Sequence, residues 1–175
     1  MVEKLVPLFN QFHQQICCSA ESVNLHYISQ LEETPLEEKL RNTRERDWVI
    51  GYTTSGIHKD ELEMKLDDAL IRRVGSQGQQ KTYLIALKLA QYSLLAQQGT
   101  TAPLLLLDDI FDKLDAERVA QIIRLVSDEQ FGQIFITDTN RKYLDKILET
   151  MNHDFALFEV EPLRIRQNHD SWFPV

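Results

Sequence analysis

The sequence is poor in the residues that build special frameworks. Its two cysteines, Cys17 and Cys18, are adjacent, which excludes a disulfide scaffold and a CxxC metal spacing and points to reduced, cytoplasmic thiols. No apolar run approaches the roughly 20 residues of a membrane helix. The opening stretch MVEKLVPLFNQFHQQICC mixes charge and glutamine where a secretory signal needs an unbroken apolar core. A cytoplasmic protein with no membrane partner is expected. Positive charge is also scarce: 19 Lys and Arg against 27 Asp and Glu leave a net charge of -8. That balance argues against general coating of a nucleic acid backbone but leaves room for a local basic patch. Glycine is rare, with six in the chain, yet two of them bracket Ser-Gln in VGSQGQQKT. Such a concentration implies a specialised backbone at that point.

What is present is the balance of an ordinary soluble globular protein, 43% hydrophobic and 26% charged. A chain of 175 residues fits one domain, or one domain with an attached subdomain. From Lys4 to Cys18, Leu5, Leu8, Phe9, Phe12 and Ile16 recur at helical spacing. SVNLHYIS alternates as a short strand, and QLEETPLEEKLRNTRERD reads as a solvated helix that starts near Pro35, with Glu37 or Glu38 reaching Arg41. Beyond Gly51, ELEMKL and ALIRRV form a hairpin around Asp67-Asp68. QQKTYLIALKLAQYSLLAQQG is a long helix ending at Gly99. APLLLLDD reads as a strand buried on both faces of a parallel sheet. DAERVAQIIRLVSDEQ is an amphipathic helix capped by Asp115, GQIFITDT a second buried strand, RKYLDKILETM a short helix, and FALFEV and LRIRQ two further strands. The alternation predicts an α/β fold with parallel βαβ connections.

Two stretches carry chemistry. A strand ending in Asp108-Asp109 delivers carboxylates beyond the sheet's carboxyl edge, where open α/β sheets bind ligands. The first suits Mg²⁺ and the second an attacking water; the plainer alternative is a turn or helix cap past the strand. IFDKLD adds further acid there, and IFITDT brings Thr137, Asp138 and Thr139 to the same edge. Ser76 and Gln79 have the S-x-x-Q spacing of a capping box at the start of the long helix. Gly75 and Gly78 would let a ligand approach the backbone, and the first-turn N–H groups, with Lys81 beside them, favour a phosphate. Capping alone accounts for Ser76 and Gln79 but not for the glycines.

SQGQQKT resembles the signature loop of ABC-type ATPases, and LLLLDDIFDKLD their Walker B strand and D-loop. The resemblance is closer to the RecF family of the SMC-like branch, bacterial recombination mediators. GIHKDEL is similar to that family's Gly-Pro-His-Arg-Asp-Asp segment, and SQGQQKTYLIALKLA to its signature helix, with the three motifs in order between Gly51 and Leu148. The fold implied is the C-terminal lobe of an ABC/SMC-type P-loop ATPase head. Residues 1–50 would then be the end of an arm (lid) subdomain, and 51–175 the C-terminal part of the ATPase domain.

By the same resemblance, ATP and Mg²⁺ are the cofactors of an ATP-dependent homodimer. Ser76, Gln77, Gly78, Gln79 and Gln80 would act in trans on the partner subunit's nucleotide. Asp108 would hold Mg²⁺, Asp109 would position the attacking water, and Asp112, Leu114 and Asp115 would form the D-loop at the dimer interface. Asp138 or Thr137 stands where many ABC ATPases place a histidine that senses the γ-phosphate. The implied partners are DNA at junctions of single and double strand, RecO and RecR, with RecA loading as the outcome. Arg72, Arg73, Lys81 and Lys88 are candidates for a phosphate-facing surface.

Departures from the pattern bound this reading. The Walker A loop G-x-x-x-x-G-K-[ST] is absent: Gly51 and Gly56 have its spacing, but Ile57 and His58 replace the lysine and hydroxyl. That stretch reads as ordinary backbone, and the chain as the C-terminal portion of a longer ATPase, inactive by itself. Ile57 also replaces a family proline, which leaves His58 a minor candidate. Two other readings stand beside the first. One is another SMC-like or overcoming-lysogenization-type ATPase with a nuclease partner domain, which predicts a coiled-coil insertion or a metal-ligand cluster in that domain; neither is visible in the sequence. The other is a non-catalytic interaction module.

Overall fold

A computed structural model describes residues 2–17, 21–128, 130–139, 155–161 and 164–168. Helix α1, Val2–Cys17, packs along the long helix α4, Gln77–Gln98. The apolar spacing read from α1 is the buried stripe: Leu5, Phe9, Phe12 and Ile16, with His13 among them. Ala86 and Ala90 on α4 are fully buried and let the helices approach closely. Phe9 meets Tyr83 with ring centroids 4.5 Å apart, and the Tyr83 hydroxyl donates to Asn24 O at 2.6 Å. Burial raises the Tyr83 pKa, so the hydroxyl stays a donor.

Strand β1, Val23–Ile28, pairs antiparallel with β2, Glu61–Leu66, from Val23 opposite Leu66 to Ile28 opposite Glu61. The expected hairpin is present, with Asp67 at φ 52. Its second arm is shorter than the sequence suggests: β3 is only Ala69–Leu70, after which Ile71–Val74 form a helical turn, α3. Ile71 is buried in the core while Arg72 and Arg73 remain exposed, a periodicity a continued strand cannot supply. Because α1 and β1 pack on and pair with elements that follow residue 51, they share one core with them.

Helix α2, Leu36–Ile50, has no buried residue, and Trp48 and Val49 are 79% and 89% exposed. The expected Glu37–Arg41 contact is present at 2.6 Å. The Walker-like glycines have backbone roles: Gly51, φ 82, caps α2 through its N–H to Asp47 O, and Gly56 precedes the 3-10 turn Ile57–Lys59. His58 Nε2 lies 3.1 Å from Thr53 O, closing that loop on itself.

The acid-ended strand is β4, Leu105–Asp108, parallel to β5, Ile134–Thr137, with α5, Ala116–Val126, between them in sequence. The βαβ expectation is met. The strand is not buried on both faces, however: Leu107 is 1% exposed, whereas Leu106 is 63% exposed. Leu105 and Leu107 face the core with Ile134 and Ile136 beside them, and Leu106 and Phe135 share the open face. Strands β6, Leu157–Glu161, and β7, Arg164–Asn168, form an antiparallel hairpin. The helix expected around RKYLDKILETM lies outside the described residues. Among the described residues no helix is long and apolar enough to cross a membrane.

Candidate functional site

The start of α4 is built by the capping box expected from the sequence. Gln79 N donates to Ser76 Oγ at 3.2 Å, and Ser76 N donates to Gln79 Oε1 at 2.8 Å. Gln80 Nε2 donates to Gly75 O at 2.8 Å, which closes the loop from the other side. Gln77 and Gly78 occupy the first turn, whose backbone N–H groups have no intrahelical acceptor. Ser76 and Gln77 are exposed, as a loop that meets a ligand must be.

The glycines have reasons inside the chain. A Cβ at Gly75 would stand 2.7 Å from Ile71 Cγ1 and 2.8 Å from Ile71 O. At Gly78 it would stand 3.0 Å from Lys113 O and 3.3 Å from Arg118 Nη1. Gly75 is therefore required by α3 without any ligand, and at Gly78 a Cβ would oblige the acid loop to give way by a few tenths of an ångström. The sequence suggests approach of a ligand at these glycines; atoms of the same chain also approach them.

At the end of β4 the two aspartates diverge. Asp108 completes the strand opposite Thr137, on the open face, and Thr137 Oγ1 donates to its carboxylate. Asp109 does not continue the strand: its φ is 48, a left-handed conformation uncommon for a residue with a side chain. Two bonds over-determine that turn. Asp109 N donates to Thr137 O at 2.9 Å, and Lys81 Nζ from α4 donates to Asp109 O. The Lys81 ammonium also lies 3.9 Å from the Asp109 carboxylate. Lys81 thus points at the acid loop and is no member of a free phosphate-facing patch; Arg72 and Lys88 remain exposed, with Arg72 4.0 Å from Glu61.

The loop that follows is pinned residue by residue. Phe111 N donates to Asp138 Oδ2 at 3.1 Å, which assigns Asp138 a structural contact. Asp112 pairs with Lys113 at 3.3 Å, and Lys113 takes φ 66. Leu114 packs against the core. Asp115 caps α5, its Oδ1 accepting from Arg118 N at 2.8 Å, as its position in the sequence predicts. Helix start and acid loop are therefore one joined surface, tied by Lys81 to Asp109 and by the close passage of Gly78 under Lys113.

Asp108, Thr137 and Asp138 offer hard oxygen donors, the chemistry that suits Mg²⁺ held between carboxylate and phosphate. First-turn N–H groups without an intrahelical acceptor suit a phosphate oxygen. Sequence reasoning missed Lys81 as the link between the two motifs. Its signal was weak, since the two residues it joins lie on separate elements. It also missed Glu21, whose Oε1 accepts from Gln79 Nε2 at 3.1 Å.

No family model matches the chain. It is 71% identical over 161 residues to the DNA replication and repair protein RecF of Parabacteroides distasonis, covering 92% of this chain and 44% of that protein. With the protein of the same description from Bacteroides thetaiotaomicron it shares 53% over 160 residues, covering 91% of this chain and 43% of the relative. The chain thus spans less than half the length of these curated relatives. Among solved structures, the recombination mediator protein RecF with ATP, of the RecFOR pathway, superposes with a TM-score of 0.66 at 20% identity, covering 95% of this chain and 44% of that one. An SMC head bound to the C-terminal winged-helix domain of ScpA gives 0.51 at 16% identity, covering 82% and 36%. These likenesses show that the chain has the α/β fold of the corresponding parts of RecF and the SMC head. Over the part of those proteins that it spans, the chain is a member of the RecF family.

Proposed function

We propose that this chain supplies the signature-loop and acid-loop half of a RecF-like, ATP-dependent recombination mediator. The observation that carries the reading is the joining of the capped α4 start to the acid-ended β4 through Lys81, in a chain 71% identical to a RecF protein. Ser76, Gln77, Gly78, Gln79 and Gln80 would present first-turn N–H groups to the γ-phosphate of ATP held by a partner subunit. Asp108 would hold Mg²⁺, which supplies charge neutralisation at the phosphates when bound. Asp109, fixed in its left-handed turn, would orient the attacking water. Asp112, Leu114 and Asp115 would shape the loop at the interface between subunits, and residues 1–50 would be the end of the arm subdomain, with α2 its exposed part and α1 and β1 packed into the shared core.

The assembled protein would act in the cytoplasm, bind DNA at junctions of single and double strand, and work with RecO and RecR in loading RecA. Support comes from the relatives' description as DNA replication and repair proteins and from the fold shared with a RecFOR-pathway mediator. The open face of β4–β5 is where the remainder of a RecF-length protein would pack.

The test compares two preparations. The chain alone is expected to show negligible ATP turnover, since its sequence lacks a Walker A lysine. In a full-length protein carrying this segment, Asp109→Asn is expected to bind nucleotide normally and hydrolyse it about a hundredfold or more slowly. Robust hydrolysis by the chain alone would overturn the division of labour, and an unchanged rate in the variant would remove Asp109 from the chemistry.

A further inference from the structure

Behind the start of α4 lies a group of side chains that the nucleotide reading does not use. His13 sits on the buried face of α1, its ring centroid 5.9 Å from that of Phe9 and 6.0 Å from that of Tyr83. One turn later on the same face, Cys17 Sγ lies 3.5 Å from His13 Nε2. Past the end of the helix, Glu21 turns Oε2 to within 3.8 Å of the same sulfur. One ligand atom from each residue falls within 4.8 Å of the others, and among the described residues no second set of three His, Cys, Asp or Glu does so.

The sulfur–nitrogen separation is that of adjacent ligands around one ion, and the carboxylate oxygen lies close enough to swing into a third position. Zinc bonds of about 2.3 Å to sulfur and about 2.0–2.1 Å to nitrogen place the two donors about 3.5 Å apart in a tetrahedron. The carboxylate is also held as an outer shell holds a metal ligand. Its other oxygen, Oε1, accepts from Gln79 Nε2 at 3.1 Å and lies 3.9 Å from Arg118 Nη2, which leaves Oε2 aimed at the sulfur. A thiol and an imidazole one turn apart can pair by chance of helical spacing. The thiol also donates to the carboxylate from beyond the helix; what sets the group apart is that all three ligand atoms gather within 4.8 Å.

We propose that His13, Cys17 and Glu21 form a binding site for a zinc-like divalent cation behind the signature loop. Sulfur and nitrogen donors select such an ion over Mg²⁺ or Ca²⁺. On binding, the Cys17 thiol releases its proton to solvent and His13 offers the Nε2 lone pair with its proton on Nδ1. Thiolate and carboxylate bring two negative charges to the ion, the second shared with Arg118 on the far side of the carboxylate. The fourth position opens on the side of Cys17 and Glu21, which are partly exposed, while His13 closes the core side. The ion would tie the end of α1 to Gln79, and through the capping box to Ser76.

The probe is Co²⁺ added to the reduced chain, read by absorbance. The expected result is one equivalent bound, with a thiolate-to-cobalt band that Zn²⁺ abolishes by displacement. Cys17→Ser should remove that band, Cys18→Ser should leave it intact, and Glu21→Gln should weaken affinity about tenfold or more. Both cysteine variants are checked for native circular dichroism. Because His13 is in the core, its ligation is read without substitution, from a hyperfine-shifted imidazole proton in the NMR spectrum of the Co²⁺ form. Absence of the band in the native sequence, its survival in Cys17→Ser, its loss in Cys18→Ser, unchanged affinity in Glu21→Gln, or no shifted imidazole proton would each overturn the proposal. None of these readouts involves nucleotide, so the site stands or falls apart from the ATPase reading.

Discussion

Thr82 is fully buried on α4, and among the described residues its hydroxyl is the buried side-chain polar atom without a hydrogen-bond partner. Valine has nearly the same shape and no hydroxyl to desolvate. Thr82→Val is expected to stabilise the chain by about 1 kcal/mol, seen as a rise in Tm of about 2–4 °C in thermal unfolding; a fall would show that the hydroxyl has a partner. Ser76→Ala removes the acceptor for Gln79 N and is expected to cost about 1 kcal/mol in the same assay. The cap was legible in the sequence because it is a contact between residues three apart. The demands on Gly75 and Gly78 were not, because the atoms that crowd them come from Ile71 and from Lys113, and only the fold brings Lys113 to α4.

At the scale of elements, helices α1 and α5 were legible because each buries one stripe at helical spacing, and α4 because a capping box and Gly99 bound a long apolar run, although Leu84 and Leu95 in that run are half exposed. Phe9, fully buried between α1 and Tyr83, is the strongest test of that packing: Phe9→Ala is expected to cost about 3–5 kcal/mol in chemical denaturation. The end of α2 was harder to read, since its glycines imitate a Walker spacing. What fixes it is Asp47, whose carboxylate accepts from Thr54 Oγ1 at 2.7 Å, Thr54 N at 3.0 Å and Thr43 Oγ1 at 3.0 Å. The Thr54 hydroxyl first, with the Thr54 N–H and the Thr43 hydroxyl behind it, holds the Asp47 pKa below its ordinary 3.8. A depressed carboxyl pKa means that this clasp stabilises the loop above pH 3.8 and is lost as pH falls through the lower folded value. Carboxyl NMR titration is expected to give Asp47 a midpoint below 3.8, and Thr54→Ala should return it toward 3.8. A midpoint unmoved by that substitution would leave the clasp without effect.

For the whole molecule, the run Leu104 to Leu107 is uniform in sequence, yet the structure splits it between two environments. An unbroken apolar run predicts cover on both faces, because strands in parallel sheets are packed between layers. Here one layer is present: the core closes over Leu105 and Leu107, while Leu104, Leu106 and Phe135 are 61%, 63% and 49% exposed. Composition alone cannot reveal which of two equal faces has a partner, since that depends on residues elsewhere. The asymmetry has a measurable consequence within this chain. Leu106→Lys places a charge on the open face and is expected to change unfolding free energy by no more than about 0.5 kcal/mol. Leu107→Ala, one residue along, empties a site 1% exposed and is expected to cost about 2–5 kcal/mol. Both are read from urea denaturation of the same preparation, where the slope reports whether the surface exposed on unfolding has changed. Equal losses from the two variants would mean that the face carrying Leu106 is covered in solution, by a second copy or by a different packing of β4 and β5. A loss confined to Leu107→Ala would establish that the sheet is closed on one side only, with Asp108 and Thr137 presented on the side left open.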